Sequence, residues 1–291
     1  MGRNGLTALL FPGQGSQTPD MREQVERQLP DLLEIARTEV SDDFFERADE
    51  GTRWAQPAIY CAALAGFDVL RDRVEPDVMA GHSLGEIAAL VAADALTAED
   101  GLRLVAARGR LMQEAAERAE DGGGGMLAVR ARDRAPVEEV ADDCGLTFAN
   151  DNAPDQIVLS GSNEAIAGAE ERLGETRVRT KRLAVAGAFH SPLMEPAIEP
   201  FRAVVEKIDV REPRVPVYSC VTAAPFQDVR DLLVQALTHP VRWLDVMHAL
   251  HERGVSHFVE TGPGRVLANL VRKSLDDVEA EAPLAMEPAH A

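Results

Sequence analysis

The sequence has little cysteine, few aromatic residues, no long apolar run and too little positive charge to balance its negative charge. Its three cysteines, Cys61, Cys144 and Cys220, are scattered, odd in number and without metal-ligand spacing. That excludes a disulfide framework and a cysteine-built metal site, and points to a reducing cytoplasm. No apolar stretch approaches the roughly 20 residues of a membrane-spanning helix, so no membrane partner is expected. Met1-Gly2-Arg3-Asn4-Gly5, ahead of Leu6–Phe11, is too short and too sparsely basic for a secretory signal; it reads better as the approach to a first buried strand. Thirty Lys and Arg against 49 Asp and Glu leave a net charge of −19. Nucleic-acid binding needs a basic field, and this composition excludes it.

What is present is ordinary for a globular chain: 291 residues, 45% hydrophobic and 27% charged. That is enough for one large domain, or a large and a small one. The most informative stretch is Asp77-Val78-Met79-Ala80-Gly81-His82-Ser83-Leu84-Gly85-Glu86. Residues 78–80 read as a buried strand and residues 84–93 as a helix, with Gly-x-Ser-x-Gly between them. This is a sharp turn that lifts a serine hydroxyl out of the backbone. Gly81 and Gly85 have no Cβ to block so tight a turn, and the first amides of the helix are free to hold an oxyanion. A serine N-cap on an ordinary helix would use the same residues.

Residues 98–119 form a long helix whose apolar stripe is Leu104, Val105, Leu111, Met112 and Ala115. Arg108 falls inside that stripe, whereas Arg103, Arg110, Glu114 and Glu117 fall on the solvated face. A cation aimed at the core needs an anion. That anion is either a buried acid of this chain or the carboxylate of a ligand held by a bidentate pair. A helix is expected to start at Gln56 and run from 58 to 70. Gly122-Gly123-Gly124-Gly125 lacks the Lys-Ser/Thr of a phosphate loop and reads as a flexible joint. Beyond it the order is strand 126–130, helix 136–144, strand 146–149, a turn at 150–154, strand 156–160, helix 163–173 and strand 180–185. This is the β-α-β-β-α-β order of a ferredoxin-like unit. His190 follows in a turn where the chain returns to the larger unit. Cleft positions of this kind favour sites, although a lone histidine is more often structural. The other histidines, His82 included, form no catalytic constellation. The acidic residues beyond Asp276 read as a frayed tail.

Four stretches in order, Phe11-Pro12-Gly13-Gln14-Gly15-Ser16-Gln17, Gly81-His82-Ser83-Leu84-Gly85-Glu86, Arg108-Gly109-Arg110-Leu111-Met112-Gln113 and Phe189-His190-Ser191-Pro192-Leu193-Met194, closely resemble the malonyl-CoA:acyl carrier protein transacylase family. That family includes the acyltransferase domains of polyketide synthases. The resemblance runs from Leu6 to about Ser274. It implies an α/β fold, with an α/β-hydrolase-like large domain (1–124 and 190–291) and an inserted ferredoxin-like small domain (125–189). It also implies Ser83 as nucleophile, His190 as general base and acid, and the backbone amides of Gln14 and Leu84 as oxyanion hole. Arg108 would hold the malonyl carboxylate, and Phe189 would leave little room for an α-methyl branch. The family usually has glutamine where this chain has Ala236; that residue orients the histidine through its main-chain carbonyl, so Ala236 can still serve. Asn150 and Asn152 are further pocket candidates.

The implied substrate is malonyl-CoA and the implied partner an acyl carrier protein of fatty-acid or polyketide synthesis. No metal or redox cofactor is expected, and a cytoplasmic monomer is. Such carriers are acidic, so a local basic patch is expected on this acidic chain, with Arg179, Lys181, Arg182, Arg272 and Lys273 as candidates. Three alternatives stay open: an acyl hydrolase that clears stalled carriers, an acyltransferase for another carboxylated acyl-CoA, and a non-catalytic carrier-binding module.

Overall fold

The computed structural model describes residues 5–119, 122–176, 178–185 and 187–284. The N-terminal residues 1–4, where no secretory signal is expected, and the last part of the acidic tail lie outside the described residues. In chain order the elements are β1 (Leu6–Phe11), α1 (Met21–Gln28), α2 (Pro30–Glu39), α3 (Thr52–Leu70), β2 (Val78–Gly81), α4 (Gly85–Ala92) and α5 (Ala98–Arg118). Next come β3 (Gly125–Arg130), α6 (Ala135–Cys144), β4 (Thr147–Ala153), β5 (Gln156–Gly161), α7 (Asn163–Gly174) and β6 (Arg179–Arg182). A 3₁₀ turn at Pro192–Ala197 then leads to α8 (Ile198–Val205), β7 (Val217–Ser219), β8 (Ala224–Pro225), α9 (Val229–Gln235), α10 (Trp243–Glu252), β9 (Val255–Glu260), α11 (Val266–Ser274) and β10 (Glu279–Glu281).

Six strands form one sheet in the order β10-β9-β1-β2-β7-β8, and four form another in the order β4-β5-β3-β6. The first is parallel except where β8 returns along β7. Its central strand, β1, is buried on both faces, as a parallel strand between helical layers must be. Leu9 and Phe11 enter the core shared with α3, α4 and α5, while Ala8 and Leu10 enter the opposite core with α10 and α11. The second sheet is antiparallel. One of its faces is closed by α6 and α7 through Leu127, Val129, Ile157, Leu159, Val137 and Ile166. The fold is therefore α/β, and the second sheet has the ferredoxin-like order. No described helix is long and apolar enough to cross a membrane.

Three local expectations are corrected. Helix α3 begins at Thr52, one turn before Gln56, with Pro57 inside it. Proline is commonest in the first turn, which made 56–58 read as a start. Instead the earlier turn is held by Gln113 of α5, whose Oε1 accepts from the Arg53 amide at 3.3 Å. Residues 150–153 are the end of β4 rather than a turn. Bulges between Phe148 and Asn150 and between Asp151 and Ala153 accommodate them, and Val241 supplies backbone bonds from the far side. Part of the tail, Glu279–Glu281, pairs in parallel with β9 instead of fraying. In the glycine run Gly122, Gly123 and Gly124 all have positive φ, and the Gly123 carbonyl accepts from the Ala188 amide at 3.0 Å.

Helices α3 and α5 pack closely because Gly109 presents no side chain to Thr52. A Cβ there would stand 2.6 Å from the Thr52 carbonyl oxygen. Gly109→Ala is expected to destabilise the protein by about 2–3 kcal/mol through overpacking. Gly168→Ala is the control: it lies inside α7 with only Cys144 Sγ nearby, at 3.9 Å. It should stabilise by ~0.5–1 kcal/mol, the helix-propensity difference. Urea unfolding of both variants checks the sign of each.

Candidate active site

The turn between β2 and α4 places Ser83 at φ +53°, a left-handed conformation that a non-glycine residue adopts only under constraint. The constraint is close packing. A Cβ on Gly81 would overlap the backbone of Gly85, and one on Gly85 would overlap the Phe11 carbonyl. Gly13, at the end of β1, could carry none without approaching the His82 carbonyl to 2.6 Å. Three glycines thus let two strand ends and a helix start converge. Ser83 is left projecting into a cavity of about 340 Å³, lined also by Gln14, Leu84, Arg108, Asn150, Asn152, Phe189 and His190. This lies within the usual size range of small-molecule sites.

His190 is brought to Ser83 across 107 residues, with its Nε2 2.8 Å from Ser83 Oγ. Its other ring nitrogen, Nδ1, lies 3.2 Å from the carbonyl oxygen of His239. The Ala236 carbonyl, the expected orienting group, also acts on the ring as a backbone hydrogen-bond partner, so His239 joins Ala236 rather than replacing it. Both carbonyls belong to the turn after α9, where the chain doubles back before α10. Nδ1 therefore carries the proton and Nε2 is free to accept one. Burial, helped by the nearby Arg108 charge and by His82, pushes the His190 pKa down to about 3. The ring is neutral near pH 7, the state a base requires.

Arg108 is 3% exposed. Its Nη1 donates to Gln56 Oε1 at 2.9 Å and its Nη2 donates to Ser83 Oγ at 3.1 Å. Both partners are neutral, and among the described residues no carboxylate lies within ion-pair distance of it. The nearest acid by effect is Glu86, itself buried, which raises the Arg108 pKa against a larger lowering by burial; the outcome is about 10. Arg108 thus keeps its charge. Burial holds Glu86 up to about 7, against the Cys220 amide and the Arg108 charge, which pull it down. The solvated face of α5 is as expected, with Arg110 paired to Glu114 at 2.9 Å.

Several neighbours were not singled out by sequence. His82 Nε2 meets Asn152 Oδ1 at 2.8 Å, and its ring lies 5.4 Å from that of Trp243. This joins the serine turn of one sheet to β4 of the other. Gln56 and Met112 both line the cavity; a buried Gln beside a Pro in an otherwise apolar helix was the signal for the first. Cys61 and Cys220 are buried, and burial pushes both thiols up, so neither is poised as a nucleophile. Among the basic candidates, Arg182 pairs with Glu170 at 2.8 Å, and Arg272 donates to Asn269 and to the Ala280 carbonyl. Arg179, Lys181 and Lys273 are exposed.

An activated serine, a neutral histidine and a buried cation in one cavity can form an ester and select a negatively charged acyl group. The fold and this arrangement define a serine–histidine α/β protein suited to acyl transfer. The acyl transferase domain family matches residues 9–289, and the chain belongs to that family. It is 37% identical over 286 residues to the malonyl CoA-acyl carrier protein transacylase of Bacillus subtilis, covering 91% of this chain and 89% of that one. It is 36% identical to the phenolphthiocerol synthesis polyketide synthase Pks15/1 of Mycobacterium marinum, covering 96% of this chain. The chain spans only 14% of that synthase and 25% of the polyketide biosynthesis protein ThaF of Burkholderia thailandensis. Among solved structures, the malonyl-CoA:acyl carrier protein transacylase of Xanthomonas oryzae superposes with a TM-score of 0.87 at 33% identity, covering 97% and 96% of the two chains. A malonyl-transacylase in complex with a type II polyketide acyl-carrier protein gives 0.86 at 32%, covering 97% and 96%.

Because the folded pKa of His190 lies below the ordinary 6.5, the folded state binds fewer protons there, and acid below about pH 6.5 works against folding rather than for it. The same shift keeps the base form of His190 present in weak acid. Modification of Ser83 by a sulfonyl fluoride should therefore stay level from about pH 7 to about pH 5. A fall with an apparent pKa of about 6.5 would mean a solvated ring instead.

Proposed function

We propose that this protein transfers a malonyl group from malonyl-CoA to the phosphopantetheine thiol of an acyl carrier protein, through a malonyl ester on Ser83. The observation that carries this reading is the buried Arg108 guanidinium. It stands 3.1 Å from the same Ser83 oxygen that lies 2.8 Å from His190, and only neutral groups hydrogen-bond to it. A carboxylated acyl group supplies the missing anion, bidentately, with its thioester beside Ser83.

In the first half-reaction, His190 Nε2 takes the Ser83 proton as Oγ attacks the thioester carbonyl carbon. The oxyanion rests on the amides of Gln14 and Leu84, where losing one donor typically costs about 10²–10³ in rate. Collapse breaks the carbon–sulfur bond, and coenzyme A leaves with the proton from His190. In the second, His190 deprotonates the carrier thiol, whose sulfur attacks the ester, and Ser83 recovers its proton. As written, the cycle draws on side chains and backbone amides, without metal or redox cofactor. Phe189, buried against the cavity, disfavours an α-branched acyl chain. Asn150 and Asn152 line the same wall.

The reading includes an acidic carrier protein as partner, met by the exposed Arg179, Lys181 and Lys273. The structure of a relative bound to its carrier supports that partner. The reading further takes the stretch 125–189 as a domain inserted into the large one, and the protein as a cytoplasmic monomer.

Intact-mass analysis after mixing with malonyl-CoA or acetyl-CoA tests the reading directly. A malonyl adduct mapping to Ser83, with little acetyl adduct, is expected. Steady release of coenzyme A without an adduct would instead identify a hydrolase. Arg108→Ala should lower the rate of malonyl adduct formation by about 10²-fold, the scale of a lost bidentate charged pair, and slow acetyl transfer much less, so that the malonyl-over-acetyl ratio falls. Undiminished malonyl transfer in that variant would overturn the assignment of Arg108.

A further inference from the structure

We infer that the Thr52 hydroxyl is a positioning group that ties the carboxylate-binding end of the site to its oxyanion-binding end; the inference rests on the function proposed above. Thr52 opens α3 and is 1% exposed. Among the described residues it is hydrogen-bonded to neither Ser83 nor His190, yet it lies in a continuous hydrogen-bonded chain of side chains. Arg108 Nη1 donates to Gln56 Oε1 at 2.9 Å, Gln56 Nε2 donates to Thr52 Oγ1 at 2.9 Å, and Thr52 Oγ1 donates to Gln14 Oε1 at 2.9 Å.

The direction of this chain is fixed by charge. A guanidinium can only donate, so the Gln56 amide must turn its oxygen to Arg108 and its nitrogen to Thr52. The Thr52 oxygen then accepts, and its single proton must go elsewhere, to Gln14 Oε1. The Gln14 side chain is therefore held with its oxygen turned toward Thr52, at the turn whose backbone amide the proposed mechanism assigns to the oxyanion. One buried charge thus sets the orientation of two amides.

The frame around the chain is rigid. Gly109, next to Arg108, packs directly on the Thr52 carbonyl, and Gln113 holds the neighbouring Arg53 amide. The second Gln56 amide proton is taken by Met112 Sδ at 3.4 Å. Gln56, itself 1% exposed, has no spare donor with which to find another partner. Removing the hydroxyl strands one buried Gln56 proton and releases the half-buried Gln14 side chain from its partner. In a buried network, such losses are felt along the whole chain.

The decisive comparison is Thr52→Val, which keeps the shape and removes the hydroxyl, against Thr52→Ser, which keeps the hydroxyl. The readouts are the rates of Ser83 acylation by malonyl-CoA and acetyl-CoA, followed by intact mass, and their ratio. Thr52→Val should slow malonyl acylation roughly tenfold and lower the malonyl-over-acetyl ratio. Thr52→Ser should stay within about twofold of the parent in both. If Thr52→Val matches the parent, or slows both acyl donors equally, or if Thr52→Ser is as impaired as Thr52→Val, the inference is overturned. Should Thr52→Val fail to fold, Gln14→Ala probes the chain from its half-buried end and must lower the same ratio; an unchanged ratio there overturns the inference equally. A parent protein that forms no malonyl ester would instead overturn the function proposed above, so the two failures are told apart.

Discussion

The site depends on how closely three pieces of backbone can approach one another at the ends of β1 and β2. Gly13, Gly81 and Gly85 meet there with no room for a Cβ, and the contact holds Ser83 in a left-handed conformation at φ +53°. That strain persists only because the parallel sheet and α4 over-determine the turn. Everything chemical is measured from this fixed oxygen: His190 and Arg108 both reach it, from different parts of the chain. The rigidity of β1, buried on both faces, is what makes the serine a reference point rather than a mobile loop residue.

Burial then decides the charge state of each group. Water is excluded from His190, so its neutral form is favoured and its ring stays a base. The same exclusion lowers the Arg108 pKa, yet a guanidinium starts so high that it remains charged. The result is a base without charge and a cation without a bound anion, side by side, an arrangement that water would dissolve. The carbonyl groups around Ala236 and His239 complete it, because they hold the histidine ring by its other nitrogen. The same turn runs directly into Val241, whose backbone exchanges bonds with β4: the Asp151 amide donates to its carbonyl at 2.9 Å and its amide donates to Ala149 at 2.8 Å. The orientation of His190 and the seating of the antiparallel sheet thus share one short stretch of chain.

Much of this was legible residue by residue. The serine turn showed itself in two glycines at fixed spacing between an apolar run and a helix. Arg108 showed itself as a cation on the wrong side of a helical wheel. The antiparallel sheet and its two helices showed themselves in the alternation of periods between residues 126 and 185. Other features were hidden for identifiable reasons. Asn150 and Asn152 carry the composition of a turn, but bonds from Val241, about 90 residues further on, keep that stretch extended. The start of α3 was obscured by Pro57, since the side chain that caps the true start comes from α5. His82 looked idle because its partner Asn152 lies on the other sheet.

By itself, then, the sequence determined most of the elements, the β-α-β-β-α-β order behind the antiparallel sheet, and the kinds of residue available for chemistry. These follow from periodicity, steric permission at glycine and the cost of burying charge, all of which are local properties of the chain. Only the tertiary structure decided that the His239 carbonyl joins Ala236 beside His190, that Arg108 has neutral hydrogen-bond partners and, among the described residues, no acid at ion-pair distance, and that Gln14 and Arg108 stand at two ends of one hydrogen-bonded chain. Those are distances of about 3 Å between residues that lie between 25 and 107 positions apart in sequence. Hydrogen bonds act only over such distances, and nothing but the packing of sheet on helix brings those residues within range.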